Sequence, residues 1–557
     1  AEFCSALFPV ISMALLISWV VSVMVAPLYG YHLIKVEVKR NEEGDTVQYQ
    51  SKFYTIFRNI LTWFLTHRKL VLVATAGIFA LSILGMKLVR DEFFPPSTRP
   101  EIIVSMRLND GASLKNTEEV SKRFADFLNQ HADEIENYSC YVGEGAPRFV
   151  LPFTPEPPVD NYSQFIVVSK DAEHREELSR KIREELENEF PEVRHDIKFL
   201  QTGPPADYPI MLKVYGTDKD KVREIGEQVA DRVAQDENNT EVHLNWHEKS
   251  KVIHLEYDQN KLKAMGLTAQ TVSKMVYTEL TGATAAQFYK GDRTVDIVLE
   301  MAEVDRTDLS KIKELPIYTG RGYVPLEQLA DISLRTENGV IGRERLGPCV
   351  TVQGNILSGT ANDATEKALE AVKDIADNLP AGYKIEAAGA LHDSKKAMGN
   401  ITKPVPAMIF CIITLLMFQL KNGKLMLLTV LTAPLGLIGV AAGMLIFDQA
   451  MGFVAILGVL ALSGMIIRNS VILIDQIQKH LEEGETPWDA IMDSAVMRFR
   501  PIMLTAAAAI LGMIPLMFST FWGPMAVAIA SGLLVATVLT LLVLPTMYAT
   551  VYKVEKE

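Results

Sequence analysis

Apolar residues are concentrated in long runs at the two ends of this chain of 557 residues, and a charged middle separates them. A helix that crosses a bilayer needs roughly 20 mostly apolar residues. The terminal runs approach that length in seven places, several with the Pro and Gly residues that membrane helices tolerate. The predicted spans are residues 1–28, 69–90, 400–420, 425–447, 453–477, 501–519 and 524–552.

Lysine and arginine in the short loops predict the orientation of these spans. If the spans alternate, four basic segments fall on one side: 29–68, Lys421–Lys424, 478–500 and the C-terminal tail. The opposite turns, Asp448–Gly452 and Ser519–Pro524, contain neither Lys nor Arg. Basic short loops face the cytoplasm. The pattern therefore predicts a polytopic α-helical membrane protein whose long segment 90–396 lies outside the cytoplasm.

The first cytoplasmic segment, 29–68, is predicted to be a linker that contains an amphipathic helix near Phe53–Trp63. Such a helix either lies on the inner membrane surface or packs on neighbouring protein. The loop 478–500 is predicted to be a cytoplasmic loop. The chain opens with Ala-Glu-Phe-Cys and no methionine, which indicates a piece of a longer polypeptide or a processed chain.

Strand and helix patterns alternate in the charged middle and predict a large α+β region. Residues 98–202 read as strand, helix, two strands, helix and strand. A second such unit begins in 203–250 and resumes in 340–392, with residues 251–339 inserted between its halves. Two βαββαβ units of the ferredoxin-like type in tandem indicate an internal duplication.

Composition excludes several functions. The net charge of −13 does not suit nucleic-acid binding, which needs a basic face. The four cysteines, Cys4, Cys140, Cys349 and Cys411, have no metal-ligand spacing. No P-loop, no nucleophile with a base and no metal-ligand cluster is recognisable in the α+β region, which argues against an enzyme and against a cofactor.

The span 453–477 carries Arg468, Asn469 and Asp475 within an apolar run. A charge at the middle of a bilayer costs at least about 2.5–3.5 kcal/mol on insertion scales, so it persists only if it is paired or lines a water-filled path. Arg468 is therefore the predicted centre of an ion relay. The alternative is an arginine whose long side chain extends to the membrane interface.

Four stretches together carry a family resemblance. They are Asp91–Pro96, Tyr257–Thr268, Gly458–Asp475, and Arg498–Thr505 running into Gly512–Pro515. With them the chain resembles the C-terminal half of a resistance-nodulation-division (RND) efflux transporter of the hydrophobe/amphiphile, or multidrug, type. The resemblance covers essentially the whole chain, from a sixth to a twelfth span.

The resemblance implies a proton-driven antiporter of the Gram-negative inner membrane with a large periplasmic domain. The two α+β units are then porter subdomains, and residues 251–339 are a docking insertion. Implied partners are membrane lipids, the N-terminal half of the same transporter, two further copies in a homotrimer, a periplasmic adaptor protein and an outer-membrane channel. The alternative is a metal-ion or lipid exporter of the same superfamily. Metal exporters use methionine or carboxylate ligands, whereas Met106 and Met211 stand alone in strands and are expected in the core.

The resemblance also implies the relay. Arg468 takes the place of a basic residue, lysine in many relatives, that pairs with two aspartates of the fourth span, which lies outside this chain. Because arginine stays protonated, it would act as a fixed cation that favours ionised carboxylates. Thr505 matches a polar relay residue, although threonine often bonds back to its own helix. Asn469 is expected between helices, and Asp475 near the cytoplasmic end or on the proton exit path.

Substrate in this family binds in an aromatic-lined porter pocket. Tyr141, Phe149, Phe153 and Phe165 flank the proline-rich loop 146–158 and are the predicted substrate-binding residues. Aromatic walls suit varied hydrophobic substrates because contact area supplies the affinity. Core packing is the alternative for all four, and for Phe165, in a strand, it is equally favoured. Loop positions favour function for Phe149 and Phe153.

Overall fold

The computed structural model describes residues 7–33, 51–94, 97–171, 174–200, 202–203, 207–302 and 309–556. The start of the first predicted span, residues 1–6, and residues 34–50 of the predicted linker lie outside the described residues. The chain begins with three helices: α1 (Leu7–Leu33), α2 (Lys52–Thr66) and α3 (Arg68–Met86). The N-cap Ser51 accepts a hydrogen bond from the backbone N–H of Phe53 and so begins α2.

One face of α2 packs on protein. Phe57, Leu61 and Leu65, at positions i, i+4 and i+8, are buried in a cluster with residues of the C-terminal helices. Another face leaves the side chains of Ile56, Ile60 and Trp63 exposed. One side of α2 therefore packs on neighbouring protein, as one of the two predicted alternatives has it. The other side carries the apolar surface that a membrane interface accepts.

The first α+β unit follows α3. Its elements are β1 (Glu101–Arg107), α4 (Leu114–Gln130), β2 (Ile135–Val142), β3 (Tyr162–Ser169), α5 (Arg175–Glu189) and β4 (Arg194–Phe199). The strands form an antiparallel sheet in the order β2-β3-β1-β4. Because side chains alternate along a strand, Ile102 and Val104 of β1 face the helices, whereas Ile103 faces the opposite side of the sheet.

The second unit starts with β5 (Ile210–Tyr215), α6 (Lys219–Val233) and β6 (Asn239–Leu244). An insertion comes next. It contains β7 (Lys249–Tyr257), α7 (Gln259–Ala264), α8 (Ala269–Thr281), β8 (Ala283–Lys290), β9 (Arg293–Leu299), α9 (Leu309–Lys313), β10 (Pro316–Tyr318), β11 (Tyr323–Pro325) and β12 (Ala330–Asn338). Strands β7 and β12 pair along their whole length, so the insertion enters and leaves at one place.

The second unit resumes after the insertion with β13 (Arg343–Glu344), β14 (Gly347–Ile356), α10 (Ala361–Ala371), α11 (Lys373–Asp377) and β15 (Lys384–Ala387). Its main strands run in the order β6-β14-β5-β15. Position by position this is the order β2-β3-β1-β4 of the first unit. The duplication that the sequence indicated therefore appears in the strand order of both sheets.

The C-terminal helices are α12 (Gly389–Thr402), α13 (Val405–Leu420), α14 (Gly423–Thr432), α15 (Gly436–Ile446), α16 (Phe453–Glu482), α17 (Pro487–Met517) and α18 (Gly523–Val551). Among the described residues, seven helical segments are long and apolar enough to cross a membrane: α1, α3, α12 with α13, α14 with α15, α16, α17 and α18. The span predicted at 400–420 begins earlier, because α12 leads into α13 with only Lys403 and Pro404 between them.

The prediction of a loop at 478–500 is wrong. Helix α16 continues to Glu482 and α17 already begins at Pro487. Thr486 caps α17 by accepting a hydrogen bond from the Asp489 N–H, and Gly484 supplies the left-handed turn with φ 93°. The segment is polar because these helices extend past the apolar layer, and polarity alone does not distinguish an exposed helix from a loop.

Small residues allow α15, α16 and α18 to pack closely. A Cβ atom added at Gly439 of α15 would lie 2.3 Å from the backbone oxygen of Ser531 in α18. One added at Gly532 would lie 2.2 Å from Leu462 of α16. Close backbone approach is how helices gain contact in lipid, where no hydrophobic force drives them together. This packing holds α16, which carries Arg468, against α15 and α18.

Candidate functional site

The polar face of α16 is exposed in this chain. Arg468 and Asp475 are exposed, as is Gly464 one turn before the arginine. Seven residues separate Arg468 from Asp475, which is two helical turns or about 10 Å along one face. No carboxylate of the described residues lies within 4.0 Å of the Arg468 guanidinium, whereas many other arginines of the chain have such a partner.

Asn469 points the other way. Its side chain is buried, as is that of the next residue, Ser470. The Ser470 hydroxyl lies 2.8 Å from the hydroxyl of Thr432 at the end of α14. This side of α16 therefore contacts other helices of the chain, and the structure separates Asn469 from the arginine next to it.

Thr505 lies on an exposed part of α17. Its hydroxyl donates a hydrogen bond of 2.9 Å to the carbonyl oxygen of Ile502, so the proton is used within its own helix. This is the local bond that threonine was expected to form. The hydroxyl oxygen still has a lone pair with which to accept a hydrogen bond from a neighbouring group.

The structure brings three of the four predicted substrate-binding aromatics together. The rings of Phe149 and Phe153 lie 5.0 Å apart, and Phe153 packs with Tyr141 and Ile103 on the sheet face away from the helices. Gln164 holds the loop against this face, because its side-chain oxygen accepts a 2.8 Å hydrogen bond from the Ala146 N–H. Phe149 is 44% exposed and Phe153 only 5%, so Phe149 offers the accessible surface.

Phe165 does not join them. It is fully buried on the helix-facing side of β3, with its ring edge-on to Phe124 of α4 at 4.8 Å. The period of two along a strand sends it to the face opposite Phe153. Its role is core packing, and the prediction that it contacts substrate is wrong in this geometry.

The methionines that a metal exporter would use do not cluster among the described residues. Met106 is buried in the core of the first unit. Met211 of β5 lies half-buried against Gly389, where an added Cβ would meet its sulfur at 2.8 Å. Both therefore pack singly against neighbouring chain.

Sequence reasoning missed a His–Glu–Glu group between α16 and α17. The candidate ligand atoms of His480, Glu483 and Glu485 lie within 4.8 Å of one another. The buried His480 is already bonded to Glu485, with Nδ1 2.7 Å from the carboxylate, and Glu483 pairs with Lys479 at 3.9 Å. These pairs brace the turn around Gly484, and they explain the group without a metal.

Sequence comparison identifies relatives. Over 519 residues, 88% of this chain and 48% of the relative, it is 25% identical to the cation efflux system protein CzcA of an Alcaligenes species. Over 360 residues, 62% of this chain and 33% of the relative, it is 29% identical to the nickel and cobalt resistance protein CnrA of Cupriavidus metallidurans. The chain therefore spans about half, or less, of the relatives it matches.

Structure comparison gives the same fold. The crystal structure of a heavy metal efflux pump superposes on 89% of this chain and 52% of its own, with a TM-score of 0.75 and 19% sequence identity. At that identity the likeness concerns the fold alone. The sequence pattern of the AcrB/AcrD/AcrF family matches residues 3–552, nearly the whole chain. This chain therefore belongs to the AcrB/AcrD/AcrF family of RND efflux transporters.

Proposed function

We propose that this chain is the C-terminal half of an inner-membrane RND pump that exports divalent metal cations. The observation that carries the proposal is the match to cation and metal resistance proteins over 88% of the chain. The sequence alone favoured hydrophobic or amphiphilic substrates, with metal ions as the alternative. The metal and cation resistance proteins among the relatives support the alternative better.

The α+β region is proposed to be the porter. Two βαββαβ units with one strand order are what a pair of ferredoxin-like porter subdomains would have, and the insertion β7–β12 would be the docking part. The seven apolar segments would then be the sixth to twelfth spans of a twelve-span protein. The insertion leaves through the β7–β12 pair, so it can project from the second unit without breaking its sheet.

Arg468 is proposed to be the fixed cation of a proton relay. Its exposed position in the apolar run of α16 is the supporting observation, because an unpaired charge at this depth costs at least about 2.5–3.5 kcal/mol. Carboxylates from the N-terminal half would cover this face and pair with it. Asp475, on the same face, would lie on the exit side, and Thr505 would accept a hydrogen bond. Asn469 would only hold α16 in place.

The partners follow from the same proposal. The N-terminal half would supply the carboxylates, and the working pump would be a homotrimer with a periplasmic adaptor and an outer-membrane channel. The exposed apolar side chains of α1 and α3, such as Trp19 at 68% and Val73 at 73%, would meet lipid or the N-terminal half.

Export of hydrophobic compounds is the second candidate, and one observation favours it. The loop over the first sheet exposes Phe149 at 44% and Leu151 at 81%. Arg148 braces this loop by donating hydrogen bonds of 3.0 Å and 2.9 Å to the carbonyl oxygens of Phe153 and Leu151. An apolar tip on a braced loop is a surface that a hydrophobic substrate could contact.

Growth inhibition separates the two candidates. The full-length transporter that contains this chain would be expressed in a Gram-negative strain lacking its own RND pumps. Growth would be measured in zinc, cobalt, nickel and cadmium salts and in hydrophobic dyes. The proposal predicts higher tolerance of at least one metal and none of the dyes, and loss of that tolerance in Arg468→Ala. Tolerance of dyes alone would reverse the order of the candidates.

A further inference from the structure

Residues 90–94, which follow α3, join the membrane helices to the α+β units, and we call this segment the joint. Arg90 donates a 3.0 Å hydrogen bond to the carbonyl oxygen of Asp448, in the turn between α15 and α16, and also forms an ion pair with its carboxylate at 3.0 Å. The Met451 N–H donates to the Arg90 carbonyl oxygen at 2.8 Å. The joint is therefore fixed to the turn before α16.

The same segment contacts the second α+β unit and the chain that connects the two units. Asp91 accepts a 3.2 Å hydrogen bond from the side chain of Asn362 in α10, which belongs to the second unit. The Phe94 ring lies where a Cβ atom on Gly203, just after the first unit, would come within 2.4 Å. Phe94 also stacks on Phe521, in the turn between α17 and α18, at 6.0 Å. One short segment thus touches two turns of the membrane helices, the second α+β unit and the chain between the two units.

A cavity of about 340 Å³ opens beside the joint. Its apolar wall includes Phe93, Val454 and Met517, and its polar wall includes Gln449, Ser519 and Thr520. Glu92 also lines it, and its side chain is partly buried. The Glu92 carboxylate forms no hydrogen bond or ion pair with any residue in the described part of the chain.

The charged groups around Glu92 are few. Arg90 and Asp91 flank it in the chain, and the ion-paired Asp448 lines the same cavity. Asp363 and Glu366 of α10 face Asp91. The start of α16 and the turn between α17 and α18 bring no charged side chain to the cavity. Burial raises the pKa of Glu92 to about 7, Arg90 opposes this rise and Asp91 adds to it.

The ligand that suits this carboxylate is a proton. Hard divalent cations take six or more oxygen ligands, and here the only other carboxylate of the cavity is held by Arg90. We propose that Glu92 is a proton-binding residue of the joint, and that protonation stabilises the packed contact between the membrane helices and the periplasmic units. The neutral acid tolerates the apolar wall, whereas the carboxylate requires water.

The direction of the effect follows from the two protonation states. Packed against the cavity wall, Glu92 holds its proton up to about pH 7; exposed to water, it would lose the proton at ordinary carboxyl pH values. The packed joint is therefore favoured at low pH and loosens as the pH rises through neutrality. An acidic periplasm would thus close the joint, whichever cargo the pump carries.

Trp522 is a built-in reporter, because it lies in the turn between α17 and α18 next to Phe521, with ring centroids 4.8 Å apart. The fluorescence of Trp522 would be isolated by subtracting the emission of the Trp522→Phe variant from that of the full-length protein, both in lipid nanodiscs. This difference would be followed from about pH 5 to about pH 9. We expect a single transition near pH 7 that is lost in Glu92→Gln. The control Glu118→Gln removes the charge of an exposed side chain on α4, far from the joint in the chain, and should keep the transition.

A parent protein without a transition, or a Glu92→Gln protein that titrates like the parent, overturns the proposal. If Glu92→Gln does not fold, the variant Glu92→Asp tests the proposal. The shorter side chain places its carboxylate differently in the cavity, so the midpoint of the pH transition should shift. An unchanged midpoint also overturns the proposal. The emission measurement needs no transport, so absence of metal export leaves it interpretable and the two proposals fail separately.

Discussion

Replacement of Arg468 by alanine is the most direct test of the relay. The residue is fifteen positions into α16, which places it about 22 Å along the helix from Phe453. That depth is beyond the middle of a hydrocarbon layer about 30 Å thick. Arg468 is exposed here, and no carboxylate of the described residues lies within 4.0 Å of it, so the proposed relay takes its carboxylates from outside the chain.

The size of the effect follows from Coulomb's law. A carboxylate 4 Å from the guanidinium gains about 4 kcal/mol at an effective dielectric constant of about 20. Loss of that interaction shifts the protonation equilibrium of the carboxylate roughly a thousandfold toward the neutral acid. An acid that no longer releases its proton stops the cycle, so Arg468→Ala is expected to abolish transport while leaving expression and assembly unchanged.

The assay is substrate efflux from proteoliposomes with an imposed proton gradient, using the full-length transporter. Arg468→Lys keeps the charge and should retain transport, because lysine is also a cation at this position. Lys479→Ala, at the exposed end of the same helix, is the matched control for loss of a positive charge. Undiminished transport in Arg468→Ala, with wild-type protein levels, would refute the relay.

Three further predictions concern packing. Phe165→Ala should lower the free energy of unfolding by about 3–5 kcal/mol, as measured by thermal unfolding. Phe149→Ala, on the exposed loop, should lower the free energy of unfolding less and change only the substrate preference, as measured by growth assays. Gly439→Leu should separate α15 from α18 and lower thermal stability by at least about 1–3 kcal/mol, since its Cβ would meet backbone; unchanged stability would contradict the close contact. Asn355→Leu should weaken the contact between the two units, because the Asn355 amide donates to both Asp196 and Glu241; faster proteolysis between the units measures this.

The sequence identifies candidate site residues better in the membrane helices than in the α+β region. In the membrane part, a single arginine in an apolar run suffices to predict a functional position, because charges at that depth are rare. In the α+β region, aromatic residues are too common in cores to mark a pocket. The sequence suggested a substrate role for both Phe153 and Phe165, yet the two residues pack on opposite faces of the sheet, and Phe165 belongs to the core under the helices.

Glu92 is a residue whose proposed role the sequence did not indicate. The residue belongs to the Asp91–Pro96 stretch that carried part of the family resemblance, but an acidic residue just after a membrane span looks like an ordinary surface charge. Its burial depends on Gly452, where an added Cβ would meet the Glu92 carbonyl oxygen at 2.4 Å, and on the turns of α15–α16 and α17–α18. Contacts between segments more than three hundred residues apart are not visible in a local pattern.

The sequence by itself determined the seven apolar segments, the polar residues of α16, the duplicated α+β unit and its insertion. These depend on local periodicity and on the cost of placing charge in lipid, which act residue by residue. Only the tertiary structure decided that Phe165 is core, that residues 478–500 are mostly helical, that Asn469 and Arg468 face different surroundings, and that the joint partly buries the carboxylate of Glu92. Burial and pairing depend on which surfaces meet, and that is set by the packing of the whole chain.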